Sequence, residues 1–156
     1  MSSQQSLTLR LELIWWVFTA VVVGGMLWPI FNKVDYYPFL LSNIVFIVAF
    51  ITLARYIFLL KHTFIAKMQR VKLVLLFLCI PLAFYLIGEI NYFQTYCDEE
   101  GIEAILPHLT LEEQASLGKF IRTQMLFFGV GAVISVLLFP FRMMISIWRT
   151  RNRGTV

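Results

Sequence analysis

Long apolar stretches alternate with shorter polar segments along this chain. Each stretch has about the 20 residues, at 1.5 Å of rise per residue, that a helix needs to cross a hydrocarbon layer about 30 Å thick. Residues 73–78 are apolar on every face and lack the alternation of a barrel strand, which favours helices. The four predicted membrane spans are residues 13–31, 38–60, 73–93 and 123–141.

The pattern predicts an all-α integral membrane protein, a four-transmembrane-helix bundle that forms one domain over residues 1–156. Short connections, 32–37 and 61–72, join the first three spans. A longer, acidic extracytoplasmic loop, 94–122, joins the third span to the fourth, and the chain ends in a basic cytoplasmic tail, 142–156.

The sequence predicts the start of one helix inside the outer loop. Thr110 and Glu113 have the spacing of a capping box, in which the side chain of each residue accepts a hydrogen bond from the backbone N–H of the other. We therefore expect a helix to begin at Leu111 and to run into the fourth span. Pro140 lacks an N–H group and is expected to kink or end that helix.

Composition supports the membrane assignment. Apolar residues make up 60% of the chain and charged residues 14%, whereas soluble domains have about 45–50% and about 25%. The mean hydropathy is +0.79. These values exclude a soluble domain and a disordered chain.

The positions of the basic residues predict the topology. Nine of the 13 Lys and Arg residues lie near the N-terminus, in the connection 61–72 or in the tail, whereas Lys33, Lys119 and Arg122 lie on the other side. Because cytoplasmic segments carry an excess of Lys and Arg, both termini are predicted to be cytoplasmic, in a cell inner membrane. Anionic lipid is the nearer partner for this charge, and we expect no nucleic-acid partner.

Polar residues within the spans are the candidate site. Glu89 lies about 6 Å below the outer end of the third span, where a carboxylate needs a partner. Tyr85 and Tyr92 share its helix face, and Asn43 and Gln124 lie at a similar depth in other spans. We predict an outer polar cluster and favour a structural role, in which hydrogen bonds fix the helix register; an ion or ligand site is the alternative.

Arg55 is a charge in the inner leaflet, about 8 Å from the inner boundary. We expect its side chain to extend to the cytoplasmic headgroups or to pair with Glu12 near the start of the first span. Because Arg55 and Glu89 lie in opposite leaflets, they cannot pair with each other.

Small residues predict close helix approach. Ala20 and Gly24 in the first span, and Gly131 and Ser135 in the fourth, are pairs four residues apart. Such pairs let helix backbones approach closely in lipid. We therefore expect the first and fourth helices to pack on each other. Two explanations of the pairs stay open: they fill space inside one bundle, or they form a contact with a second copy of the chain.

The outer loop carries an acidic run: Asp98, Glu99, Glu100 and Glu103. This run lacks the ligand spacing of a Ca²⁺ loop, so we interpret it as a solvated surface rather than a divalent-cation site or a docking site for a basic partner. The two His residues are predicted on opposite sides of the membrane. No metal site, cofactor or catalytic residue is predicted.

The sequence favours a non-enzymatic, polytopic membrane subunit that acts by packing against other membrane proteins or by self-association. The alternative is a small oligomeric transporter or channel with Glu89 at its site.

Overall fold

The computed structural model describes residues 3–60, 63, 65 and 68–152. The described chain is all-helical, as predicted. Its elements are α1 (Ser3–Phe31), α2 (Leu40–Leu59), α3 (Gln69–Glu99), a short 3₁₀ helix (Ile102–Ile105) and α4 (Leu111–Asn152). Each of the four α-helices contains a segment long and apolar enough to cross a membrane. The prediction of four long apolar helices is therefore confirmed.

The helices extend beyond the predicted spans. Most of the predicted outer loop, 94–122, is helical, because α3 continues to Glu99 and α4 begins at Leu111. Most of the predicted tail, 142–156, is also helical, since α4 continues to Asn152. Apolarity marks the part of a helix that lipid can cover, whereas backbone hydrogen bonding continues into polar sequence.

The predicted capping box begins α4. The Thr110 backbone N–H donates to Glu113 Oε2, and the Glu113 backbone N–H donates to Thr110 Oγ1, each over 3.4 Å. The helix starts at Leu111 and runs without interruption into the apolar segment, as predicted. Pro140 lies inside α4 and does not end it. Of the two expected effects of this proline, a kink or a helix end, the helix end is therefore wrong.

Helix α4 is the centre of the bundle. Both α2 and α3 pack along it, whereas α1 lies at the edge, mainly against α2. Gly129 of α4 allows this close packing, because a Cβ at this position would lie within 3.2 Å of both Ile90 and Phe46 side chains. A Cβ on Gly131 would lie 2.8 Å from the Phe50 ring. Since Gly129 meets Phe46 and Gly131 meets Phe50, α2 and α4 run in the same direction.

The two small-residue pairs do not meet within the chain. Gly131 packs against α2 and Ser135 is buried, whereas Ala20 is exposed and a Cβ on Gly24 would have no neighbour within 4 Å. The expected packing of α1 on α4 through these residues is therefore wrong.

Candidate functional site

Glu89 is held by a hydroxyl group of the neighbouring helix. Ser42 Oγ on α2 donates a hydrogen bond to Glu89 Oε2 on α3. Ser42 is buried and Glu89 is half-buried, so the carboxylate lies at the edge of the α2–α3 interface. A neutral hydroxyl donor leaves the charge of this carboxylate uncompensated, and its second oxygen can accept further hydrogen bonds.

The two tyrosines predicted on the helix face of Glu89 point away from the bundle. The Tyr85 and Tyr92 side chains are exposed, at 40% and 60%, and a Cβ on Gly88 would have no neighbour within 4 Å. Tyr92 also contacts the Phe39 ring, with 5.6 Å between ring centroids. Glu89 therefore opens onto an uncovered surface.

Asn43 forms its side-chain hydrogen bond with a tyrosine that is not part of the predicted outer polar cluster. Its side chain is fully buried, and Nδ2 donates a hydrogen bond of 3.2 Å to the Tyr37 hydroxyl. Burial raises the pKa of Tyr37 well above its ordinary value of 10, and the hydrogen bond from Asn43 offsets only part of that effect. Tyr37 therefore stays neutral and can accept this bond. The aromatic residue precedes α2, and no local sequence signal marks the pairing.

Gln124 lies buried at the same level of the α2–α4 interface. It is seven residues before Gly131, and Asn43 is seven residues before Phe50, so both lie two helical turns outward from the Gly131–Phe50 contact. Gln124 is 4% exposed, and its two amide atoms, like Asn43 Oδ1, have no hydrogen-bond partner among the described residues.

The predicted outer polar cluster is therefore two separate groups. Ser42 faces α3 and reaches Glu89, whereas Asn43, one residue later, lies with Gln124 between α2 and α4. Successive helical residues point about 100° apart, which explains the division. The first group is open to the surface, and the second is enclosed.

Arg55 pairs with Glu12. The guanidinium Nη2 lies 2.8 Å from Glu12 Oε1, and Nη1 donates a hydrogen bond of 2.8 Å to Oε2, so the contact is bidentate. The Trp15 and Tyr56 rings lie 5.7 and 5.6 Å from the guanidinium carbon. A cavity of about 240 Å³ adjoins the pair and is lined in part by Thr63. The pair joins the N-terminal half of α1 to the C-terminal half of α2.

Two further cations join helices at the same end of the bundle, and no local sequence pattern indicates either contact. Lys72 is fully buried in α3, and its Nζ donates to Ser146 Oγ of α4 over 3.0 Å. Arg142 Nε of α4 donates to the Ile57 carbonyl of α2 over 2.8 Å. Ile57 lies in the last turn of α2, where carbonyl groups lack helical partners. In the sequence, Lys72 and Arg142 contribute only to the prediction of topology.

The acidic residues surround the turn between α3 and α4. Asp98 and Glu99 end α3, Glu100 follows it and Glu103 lies in the 3₁₀ helix; all four are exposed. In the part of the chain that the structure describes, no three His, Cys, Asp and Glu side chains are grouped to hold a metal ion. His62, Lys61, Lys67 and residues 153–156 of the predicted tail lie outside the described residues.

Two grooves lie beside α1. An apolar groove of about 580 Å³ runs between α1 and α2, past Ala20 and Gly24, with Trp16 and Trp28 near its ends. A second groove, of about 640 Å³, separates the C-terminal end of α1 from α4. An exposed ion pair between Lys33 and Glu113, with 2.8 Å between Nζ and Oε1, lies in this second groove.

Comparison of the chain with protein-family models, with curated proteins and with solved structures found no match.

Proposed function

We propose that the protein is a multi-pass subunit of the cell inner membrane, with both termini in the cytoplasm, that acts by packing against other membrane proteins or against itself. The proposed role is non-enzymatic. One observation carries it: α1 packs on one side only and leaves its small residues uncovered. The bilayer would cover the exposed apolar side chains of all four helices.

The uncovered surface of α1 has the composition of a helix–helix interface. A Cβ on Gly24 or on Gly25 would have no neighbour within 4 Å, and Ala20 is exposed one turn away from Gly24. In lipid, association is driven by close packing rather than by burial from water, and small residues allow that packing. The apolar groove between α1 and α2 is about 580 Å³ and can receive large side chains of a second helix.

The charge distribution supports the proposed orientation. Arg55, Lys72 and Arg142 join helices at the end of the bundle that also holds the basic C-terminal residues of α4. The exposed acidic residues lie at the other end. An excess of basic residues at one end is typical of the cytoplasmic side.

A matched pair of substitutions tests the proposal. Gly24→Leu fills the groove, whereas Gly25→Leu adds the same side chain on the adjacent face of α1, outside the residues that line the groove. We expect gentle extraction into lipid nanodiscs, followed by native mass spectrometry, to show the wild-type chain in a stoichiometric assembly. Gly24→Leu is expected to lower the assembled fraction of the chain. Gly25→Leu is expected to lower it less than Gly24→Leu does. A solitary wild-type monomer would contradict the proposal.

The alternative function is an oligomeric transporter or channel with Glu89 at its site. The half-buried carboxylate, held by the neutral Ser42 hydroxyl, favours this alternative because it can take up a proton or a cation. Proton flux into liposomes containing the protein and a pH-sensitive dye tests it. Flux that is lost in Glu89→Gln and kept in Glu103→Gln, a change at an exposed outer residue, would support transport. Absence of flux in the wild-type protein would reject proton transport.

A further inference from the structure

One exposed face of α3 carries polar groups at membrane depth. We call it the Gly88 face and define it by Tyr85, Gly88, Glu89, Asn91 and Tyr92. Gly88 has open space beside it, and four of the five residues are exposed, with Glu89 half-buried. The face lies one to eight residues inside the predicted outer end of the third span, which is about 1.5–12 Å.

These groups are poorly matched to hydrocarbon. Ser42 is the only hydrogen-bond donor to Glu89 among the described residues, and neither the Asn91 amide nor the Tyr85 hydroxyl has a hydrogen bond to any described residue. Lipid tails offer no donors or acceptors, so unpaired polar groups at this depth cost free energy. A protein surface that supplies the missing partners would remove that cost.

The face has a carboxylate acceptor and an amide donor on opposite sides of Gly88, its one residue without a side chain. Helical residues are spaced by about 100°, so Glu89 lies about 100° to one side of Gly88 and Asn91 lies about 60° to the other. Tyr92 lies close to Gly88 in direction, about one turn further out. The Glu89 acceptor, the Asn91 donor and the open position at Gly88 therefore form a self-complementary surface.

We propose that two copies of the chain pair through their Gly88 faces, with the α3 helices parallel and Gly88 at the line of contact. Each Glu89 carboxylate accepts a hydrogen bond from the Asn91 amide of the second copy. The pairing rests on the proposed membrane function, and it names a second copy as the partner at this surface.

A second copy fits this surface for two reasons. Copies inserted in one orientation present Glu89 and Asn91 at depths that differ by about 3 Å, so the matching groups meet without any vertical shift. A twofold axis along the membrane normal places each acceptor beside a donor side of the other copy and satisfies both sites at once. Gly88 allows the backbones to approach closely enough for these short side chains to reach each other.

Cysteine cross-linking in membranes tests the geometry. In a chain with Cys79→Ala and Cys97→Ser, a single cysteine is placed either at Gly88 or at Ile87, which has the same depth but points about 100° away. We expect mild oxidation to give a disulfide-linked homodimer with Gly88→Cys and little with Ile87→Cys. Equal cross-linking at the two positions, or none at Gly88, would overturn the pairing.

The proposed hydrogen bonds are tested by Förster resonance energy transfer between donor-labelled and acceptor-labelled copies of the chain. Dilution of the two copies in lipid vesicles gives the association constant. Asn91→Leu removes two symmetry-related bonds, and we expect the association constant to fall about 8-fold, or about 3-fold for each bond. Gln94 is exposed and lies outside the Gly88 face, so Gln94→Leu is expected to leave the association constant unchanged. An Asn91→Leu protein that associates as strongly as the wild type would overturn the assigned bonds.

The outcomes separate this pairing from the proposed function. Stoichiometric companions that co-purify with the chain, without a Gly88 homodimer, would overturn the pairing and support the wider proposal. A chain that stays monomeric at every density and brings no companion would overturn both.

Discussion

Arg55 on α2 and Glu12 on α1 form a bidentate ion pair, with 2.8 Å between guanidinium nitrogen and carboxylate oxygen. The Arg55 side chain is 6% exposed and the Glu12 side chain 17%. Because α1 packs on one side only, this pair is a large part of the polar contact that holds it to the bundle.

Breaking this pair on one side is expected to be costly. Glu12→Ala leaves the Arg55 charge buried without its partner, and we expect the free energy of unfolding to fall by about 3 kcal/mol. Replacing both residues by Leu leaves no buried charge, so the loss should be much smaller. Unfolding in mixed micelles of increasing SDS fraction, followed by tryptophan fluorescence, measures both changes.

The exposed Lys33–Glu113 pair is the matched control for that experiment. It has the same 2.8 Å separation, but both side chains are more than 40% exposed. Solvent screens such a pair, so Lys33→Ala should cost much less than Glu12→Ala. Equal losses in the two variants would show that burial does not set the strength of the Arg55–Glu12 contact.

The start of α4 offers a second prediction. Thr110→Ala removes the oxygen that accepts from the Glu113 backbone N–H, and we expect the first turn of α4 to lose about 1 kcal/mol. Amide hydrogen exchange at residues 111–114 measures the loss directly. Thr110→Ser keeps the capping oxygen and should exchange like the wild type. Unchanged exchange in Thr110→Ala would contradict a stabilising role for this cap.

The helices and the cap could be read from the sequence because both depend on local patterns. Apolar runs of about 20 residues predict helices that lipid can cover, and a capping box needs only residues three apart. The predicted spans are shorter than α3 and α4, since helical hydrogen bonding continues into polar sequence where apolarity gives no signal.

The polar contacts could be predicted only in part, because they depend on the rotation of each helix. Ser42 and Asn43 are adjacent in sequence, yet one reaches Glu89 on α3 and the other Tyr37 before α2. Lys72 looked like a residue of a cytoplasmic loop, but it is buried against Ser146. Nothing within a few residues of Lys72 or Ser146 specifies that contact, which arises from the packing of α3 on α4.

Glycine positions in α1 and α4 give a third prediction. A Cβ on Gly131 would lie 2.8 Å from the Phe50 ring, so Gly131→Ala must displace that ring or the helix, and we expect a loss of about 1–3 kcal/mol. Gly24→Ala meets open space and should cost nothing in the isolated chain. The same SDS titration compares the two. A Gly131→Ala protein as stable as Gly24→Ala would contradict the close packing of α2 on α4.

The buried amides of Asn43 and Gln124 lead to opposite expectations for similar substitutions. Gln124 has no hydrogen-bond partner among the described residues, so Gln124→Leu removes two unpaired polar atoms and should raise the free energy of unfolding by about 1 kcal/mol. Asn43→Leu breaks the bond to Tyr37 and should lower it by about the same amount. The same SDS titration, applied to both variants and to the wild type, measures the two changes in the free energy of unfolding. If Gln124→Leu proves destabilising, its amide is paired in the folded protein, and the enclosed polar group contributes to the packing of α2 on α4.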